Sequence, residues 1–333
     1  MKQDKRNRYS FEFLSGGAAK RSPLLFMSLF TAFVFVSLIS VAAQDKPALT
    51  TAGSQAAAMD WKAVEVALGK AGAMQPGDVY KVSLPRTDLK VAVGSVQLKP
   101  ALALGSWVAF KNMGSVTMVM GDLVLTEDEV TPVLTKLQEG GVEQTALHNH
   151  VLRESPRVMY MHIHAMGDAV KIAKAIHDAL ALSKTPFTAP ASSPQVQDLG
   201  IDTKQLDQIM GQTGKVNGGV YQFAVARAEK IMDNGMEIPP SMGLATAINF
   251  QPTGADKAAI TGDFVLIASE VNPVIKALRD NGIEVTALHS HMLDETPRLF
   301  FMHFWANDDT KKLAHGLCAA LDKMNIVKAL AKY

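Results

Sequence analysis

Apolar and polar positions alternate along much of the chain, and this pattern predicts β-strands. Residues 78–86 (DVYKVSLPR) and 219–227 (GVYQFAVAR) alternate with a period of two, as in a strand with one buried face. Residues 126–141 (TEDEVTPVLTKLQEGG) predict a helix instead, because acidic residues fill its first turn and glycines end it. Residues 167–182 (GDAVKIAKAIHDALAL) predict an amphipathic helix that closes the first half of the chain.

The second half of the chain repeats the first at a nearly constant spacing. Gly121-Asp122 recurs 141 residues later as Gly262-Asp263. The same spacing relates Thr145-Ala146-Leu147-His148 to Thr286-Ala287-Leu288-His289, and Glu154, Pro156 and Arg157 to Glu295, Pro297 and Arg298. A repeat of this length indicates a duplicated domain. We therefore expect an α+β fold of two tandem homologous domains, each a mostly antiparallel sheet with helices covering one face.

Composition marks where these domains begin and end. Two stretches are rich in proline, serine and alanine and lack apolar periodicity, which is typical of linkers. We expect a signal peptide at 1–43, a flexible leader at 44–58, repeat domain one at 59–182, a linker at 183–201 and repeat domain two at 202–332.

The N-terminal residues have the layout of a secretory signal peptide. Six basic and two acidic residues accompany an apolar run that extends over 24–43. The run ends in Val41-Ala42-Ala43, a small-residue site that suits cleavage near Ala43. We expect a secreted or periplasmic protein. The alternative is an uncleaved leader that anchors the protein to the membrane, because the run is long enough to span a bilayer.

Charge and cysteine content exclude some classes of function. The formal net charge is +1, and the basic leader leaves the remainder of the chain weakly acidic. A weakly acidic body gives no electrostatic basis for nucleic-acid binding. Cys318 is the only cysteine, so an internal disulfide is impossible, and we expect it to be a small packing residue.

Seven of the nine histidines lie in two similar segments, 146–164 (ALHNHVLRESPRVMYMHIH) and 287–305 (ALHSHMLDETPRLFFMHFW). Each segment predicts two strands joined by a turn, and residues two apart in a strand share one face. The first segment would present His148, His150, His162 and His164, with His148 opposite His162 or His164. The second would present His289, His291 and His303, with Trp305 in the fourth place. Met159 and Met161 would then face the core.

Clustered imidazoles on one face predict a site for a divalent transition metal, zinc first and copper second. We expect the main site at His148, His150, His162 and His164 of domain one, and a weaker one at His289, His291 and His303 of domain two. Three histidine ligands would leave a position open for a water that the metal can activate. The alternative is a polar sheet face in which the histidines bind carboxylates or a ligand without a metal.

Residues near the histidines have two interpretations each. Glu154 could be a general base beside a metal-bound water, or a turn residue that pairs with Arg157. Arg157 and Arg298 could bind an anionic ligand or make such ion pairs. Trp305 could be a stacking platform for a sugar or an apolar group, or it could fill space. Asp122 and Asp263 could orient histidines or occupy bulges.

These residues are compatible with three functions. The first is an exported metal- or ligand-binding protein, and the second is a metal-dependent hydrolase that uses the domain-one histidines. The third is a cell-envelope scaffold without a small-molecule site. The expected partner is a cell-envelope ligand. We expect no nucleic acid, and a membrane only through an uncleaved leader.

Several segments resemble a known family. GSWVAF, MVMGDLVLTEDEVTPV and TALHNHVLRESPRVMYMHIHAMGD, with their second-half counterparts, are similar to the LppY/LpqO-like secreted bacterial proteins. The resemblance covers nearly all of 59–332 as two copies. It implies export and a tandem architecture, and it supplies no reaction or substrate. The named mycobacterial members look like lipoproteins, whereas this chain has no cysteine at the end of its leader.

Overall fold

A computed structural model describes residues 59–188 and 199–327. The expected signal peptide, the flexible leader and the middle of the expected linker lie outside these residues. Among the helices of the described ranges, none is long and apolar enough to cross a membrane.

The first repeat contains four helices and nine strands. In chain order they are α1 (Trp61–Leu68), β1 (Ala73–Gln75), β2 (Val79–Pro85), β3 (Ala92–Val93), β4 (Val96–Gln97), α2 (Pro100–Ala103), β5 (Gly105–Asn112), β6 (Thr117–Thr126), α3 (Glu127–Glu139), β7 (Glu143–His148), β8 (Glu154–Ser155), β9 (Val158–Gly167) and α4 (Ala169–Leu180). Six of the strands form an antiparallel sheet in the order β1-β2-β5-β6-β9-β7.

The second repeat has nearly the same order of elements. They are α5 (Thr203–Met210), β10 (Lys215–Asn217), β11 (Val220–Ala226), β12 (Ile231–Asp233), β13 (Met236–Ile238), a 3-10 turn (Pro240–Met242), β14 (Ala245–Gly254), β15 (Lys257–Ile267), α6 (Ala268–Asp280), β16 (Glu284–His289), β17 (Leu299–Asp309) and α7 (Thr310–Leu321). Its main sheet has the equivalent order β10-β11-β14-β15-β17-β16. The expected α+β fold of two homologous repeats is confirmed.

The helices cover one face of each sheet and form the core with it. In the first repeat, Val64 of α1, Val133 of α3 and Ile176 of α4 are fully buried against Met161 and other sheet residues. Met161 thus faces the core as its parity in the strand predicts. Half-buried Cys318 of α7 donates from its thiol to the Ile209 carbonyl, in agreement with a packing role.

A buried ion pair fixes the start of α3 in the first repeat. Arg86 is fully buried and donates to Glu129 Oε2 at 2.7 Å and to the Val124 carbonyl. Glu129 also accepts the backbone N–H of Thr126, which caps the helix. Arg227 and Glu270 repeat the pair at 2.6 Å in the second repeat. These residues are therefore structural.

The helix-free faces of the two sheets pack against each other. Two apolar clusters span this contact. In one of them, Tyr160 of the first repeat packs with Val220 and Trp305 of the second. In the other, Met118 of the first repeat packs with Phe301 of the second. The face that carries the histidines is thus covered by the other repeat.

The register of β7 and β9 differs from the expected hairpin. His148 lies opposite Tyr160, and His162 lies opposite Ala146, with a register shift between Gln144 and Ala146. The expectation that His148 faces His162 or His164 across the ladder is wrong. The reason is that β7 ends at His148, and the chain then forms a loop whose short strand β8 pairs with β3 instead.

Candidate metal centre

Six histidines from both repeats meet between the two sheets. We call them the six-histidine cluster: His148, His150, His162, His289, His291 and His303. Three ring pairs cross the interface, and their centroid separations are 3.5 Å for His148–His289, 3.8 Å for His150–His303 and 3.6 Å for His162–His291. The structure therefore joins the two expected histidine faces into one cluster.

The cluster has approximate two-fold symmetry. The duplication relates His148 to His289, His150 to His291 and His162 to His303, each 141 residues apart. The pair His150–His303 therefore corresponds to His291–His162, and their centroid separations agree within 0.2 Å. The pseudo-two-fold axis passes between His148 and His289.

Strand ends and adjacent loops position these side chains. His148 and His289 are the last residues of β7 and β16, and His162 and His303 lie within β9 and β17. His150 and His291 follow two residues after the strand ends. Thr145 Oγ1 donates to the His291 carbonyl, and Thr286 Oγ1 donates to the His150 carbonyl. Each repeat thus holds the histidine loop of the other.

The Nε2 atoms of all six histidines are buried and have no hydrogen-bond partner among the described residues. Nδ1 of His303 donates to the Gly262 carbonyl at 2.7 Å, and Nδ1 of His148 and His289 donate to neighbouring carbonyls at 3.3 and 3.4 Å. A carbonyl only accepts, so these rings carry their proton on Nδ1 and a lone pair on Nε2. This arrangement orients histidine metal ligands in proteins.

Burial also keeps the imidazoles neutral. Burial and the neighbouring His289 lower the pKa of His148 to about 3, and burial lowers the pKa of His289 to about 4. Burial lowers the pKa values of the other four rings well below their ordinary value. The neutral ring is the form that binds a metal.

Two buried carboxyl groups adjoin the cluster. Asp122 Oδ1 is 3.9 Å from His162 Nε2, and Asp263 Oδ2 is 3.5 Å from His291 Nε2. Oδ1 of each aspartate has no hydrogen-bond partner in the described ranges. Burial raises the pKa of Asp122 to about 8 and that of Asp263 well above its ordinary value. A bound cation would stabilise both in the charged form.

Four of the histidines could hold one metal ion. One ligand atom from each of His148, His289, His291 and His303 lies within 4.8 Å of the others. Tetrahedral zinc with bonds of about 2.0–2.1 Å to nitrogen places its ligands about 3.3 Å apart. The widest of these separations would have to shorten by up to about 1.5 Å to complete the site. We call these residues the histidine tetrad.

His164 lies outside the six-histidine cluster. Its Nδ1 is 3.6 Å from Glu143 Oε2 and its Nε2 is 3.5 Å from Asp233 Oδ2. These side chains line a cavity of about 50 Å³ with Asp294. The four histidines expected to form the domain-one site are therefore not brought together. His164 lies two residues after His162 in β9, and acidic side chains surround it there.

Trp305 occupies the position of His164 in the second repeat. Its exposed fraction is 8%, and it packs in the apolar cluster between the sheets with Val220 and Ala259. A buried ring offers no platform to a ligand from solvent, so the geometry favours the space-filling interpretation.

Glu154 lies in β8 and accepts the Val158 N–H through Oε1, while its Oε2 has no partner among the described residues. Burial raises the pKa of Glu154 to about 7. Its expected partner Arg157 is exposed and lies 3.8 Å from Glu127 instead. The contacts of Glu154 among the described residues include none with the cluster histidines. Burial, and after it the charge of Glu154, raises the pKa of Tyr160, whose ring stacks on His150.

Arg298 has a structural environment in the second repeat. Its guanidinium donates to the Met292 and Leu293 carbonyls and to Glu295 at 3.3 Å. Glu295 also accepts the N–H of Leu299. Arg298 therefore holds the loop that carries His291, in agreement with the ion-pair interpretation.

Sequence reasoning missed residues that support the cluster. Thr145 and Thr286 belong to the repeated TALH stretches, so their recurrence in the sequence could have marked them.

Lys81 is not marked by the repeat, because Gln222 stands at the equivalent position of the second repeat. Its ammonium lies over the Trp107 ring, and burial lowers its pKa to about 8 while the charge of Asp122 raises it. Lys81 is thus a cation close to one carboxyl group of the site.

The two halves of this site belong to two copies of one domain. The chain belongs to the family described as Domain of Unknown Function (DUF1259), whose profile matches residues 62–182 and 204–323. The two matches agree with the duplication seen in the sequence and in the sheets. No curated protein matches the chain.

Some solved structures show a distant likeness. The trimeric bacterial microcompartment shell protein PduB has 12% identity and a TM-score of 0.22, with 80% of this chain and 99% of that chain covered. EtuB from Clostridium kluyveri has 10% identity and a TM-score of 0.19, with 76% and 90% covered. The double-ringed trimeric shell protein MSM0271 has 8% identity and a TM-score of 0.18, with 75% and 96% covered. Scores this low carry no argument about fold or function.

Proposed function

We propose that this protein binds a divalent transition-metal ion between its two repeats. The observation that carries the proposal is the set of six buried Nε2 atoms without a partner among the described residues. Buried polar atoms in proteins almost always have a hydrogen-bond partner. No protein group among the described residues supplies one to these Nε2 atoms. An ion at the histidine tetrad would satisfy four rings at once.

The donor chemistry favours zinc, with copper as the second choice. Neutral imidazole nitrogen is a common ligand of Zn²⁺ and Cu²⁺, whereas Mg²⁺ and Ca²⁺ prefer oxygen ligands. His148, His289, His291 and His303 would hold the ion. The Nδ1–H bonds of His148, His289 and His303 to carbonyls would fix the orientation of these three rings.

Binding is favoured over hydrolysis. Four imidazole ligands fill a tetrahedral coordination sphere, which is typical of structural or storage sites, whereas catalytic zinc keeps one position open. The ligands come from both repeats, so the ion would link them and stabilise their contact. The apolar run and small-residue end of the leader support export of such a protein.

Elemental analysis of the purified full chain tests the proposal. After growth with added zinc, we expect at least one equivalent of zinc per chain. His289→Ala should lower the zinc content, while His164→Ala, a histidine outside the cluster, should leave it unchanged. Absence of bound metal both after such growth and after addition of zinc or copper to the chelator-treated chain would overturn the proposal.

A further inference from the structure

One metal ion cannot bind all the unpaired nitrogen and oxygen atoms at the six-histidine cluster. Within the cluster and its two aspartates, eight buried atoms have no hydrogen-bond partner among the described residues, namely Nε2 of the six histidines and Oδ1 of Asp122 and Asp263. A tetrahedral ion takes four ligands. Four donors would therefore remain buried and unsatisfied beside a single ion, an arrangement that folded proteins rarely keep.

The duplication divides these donors into two equal sets. The repeat-one set contains His148, His150, His162 and Asp122. The repeat-two set contains His289, His291, His303 and Asp263. Each set has three imidazoles and one carboxyl group, which is a complete ligand number for a four-coordinate ion.

The histidines of the two sets have nearly the same geometry. In the repeat-two set, the His289 ring lies 4.8 Å from His291 and 4.9 Å from His303. In the repeat-one set, the corresponding separations from His148 are 5.1 Å to His150 and 5.2 Å to His162. The repeat-one rings are spaced slightly more widely than the repeat-two rings, so their Nε2 atoms would have to move closer together to share one ion.

The carboxyl groups stand at distances that a shared ion can bridge. Asp263 Oδ2 is 3.5 Å from His291 Nε2, and Asp122 Oδ1 is 3.9 Å from His162 Nε2. Neither distance is a hydrogen bond. Both separations lie within about 0.6 Å of the roughly 3.3 Å between two ligands of one tetrahedral ion.

We infer that the six-histidine cluster is a dinuclear centre, in which each repeat supplies three histidines and one aspartate to its own metal ion. This inference rests on the proposed function, and it adds a second ion and assigns Asp122 and Asp263 as ligands. It also changes the ligands of the histidine tetrad, because His148 would bind the repeat-one ion while His289, His291 and His303 would bind the repeat-two ion. His148 and His289 stack at 3.5 Å on the pseudo-two-fold axis, so the two ions are neighbours.

Zinc stoichiometry and copper spectroscopy test the inference on the full chain. After chelation, dialysis and reloading with zinc, we expect two equivalents per chain. With Cu²⁺ as the probe, two neighbouring ions should give a spin-coupled EPR spectrum with a half-field signal. One equivalent of zinc and an isolated-ion copper spectrum would overturn the dinuclear centre and leave the proposed function standing. Zero equivalents would overturn both.

Variants decide which residues hold the second ion. His162→Ala should lower the zinc content from two equivalents to one and remove the half-field copper signal. Asp122→Asn, which keeps the side-chain shape, should weaken binding of one equivalent at least tenfold. His164→Ala is the matched control and should keep two equivalents and the coupled spectrum. If His162→Ala fails to fold by circular dichroism, Asp122→Asn decides, and two equally tight equivalents in that variant would overturn its assignment as a ligand.

Discussion

His148 stacks on His289, the residue 141 positions later in the chain, with 3.5 Å between the ring centroids. The two residues end equivalent strands of the two repeats, so their contact marks the pseudo-two-fold axis of the molecule. A duplicated domain has thus placed two copies of one histidine motif face to face. The consequence is one buried cluster built from both repeats, so metal bound there would be sensitive to how the repeats pack.

Removal of metal should destabilise the protein, because an ion that binds only the folded state adds to the free energy of unfolding. Metal at a hundred times its dissociation constant contributes about 2.7 kcal/mol. For a chain of this size that corresponds to a fall in Tm of roughly 4–5 °C. Differential scanning calorimetry before and after chelation measures it.

His289→Ala is the control for chelation, and chelation should lower the Tm of this variant by less than that of the unmodified chain. If the unmodified chain and this variant respond to chelation equally, the stabilising ion is not in the six-histidine cluster.

Trp305→Ala should destabilise the protein without changing its metal content. The ring is buried between the two sheets with Val220 and Ala259, and loss of a large buried aromatic costs about 3–5 kcal/mol. Urea unfolding measures the loss, and elemental analysis checks the metal. A stable variant that has lost a surface-bound ligand would instead favour the platform interpretation of Trp305.

Glu129→Gln should reduce the free energy of unfolding by about 1.5–3 kcal/mol, since buried Arg86 loses one of its two carboxylate partners and keeps only Asp88. Urea unfolding at neutral pH measures the loss. The metal content should stay constant, because the pair lies in the helix-covered region of the first repeat. Glu270→Gln offers the equivalent change in the second repeat and should cost a similar amount.

The ion pair between Arg86 and Glu129 should make the stability of the protein depend on pH. Burial raises the pKa of Glu129, but hydrogen bonds from Arg86 and from the Lys184 and Thr126 N–H groups outweigh it and hold the pKa below its ordinary value. The stabilisation is therefore present above about pH 4.5 and is lost as the pH falls through the lowered folded-state pKa. Glu129→Gln should lose less stability than the unmodified chain when the pH is lowered from 5 to 3. Equal losses in the two proteins would contradict a native Glu129 carboxylate with a lowered pKa.

The sequence by itself determined the duplication, the α+β class and the direction of many side chains. Period-two alternation in β9 put His162 on one sheet face and Met161 in the core, since successive side chains in a strand point to opposite sides. The acidic first turn of α3 marked where that helix begins. These features are local, so the residues near them in the chain are enough to specify them.

Only the tertiary structure decided which histidines meet. The period of two in a strand predicts that His162 and His164 share a face. The second repeat covers that face, and there His162 stacks on His291, whereas His164 lies beside Glu143 and Asp233. The register that put His148 opposite Tyr160 depended on where β7 ended and on the pairing of β8 with β3. Contacts between residues more than 100 positions apart leave no periodic signal in the chain, because they arise from the packing of one folded repeat on the other.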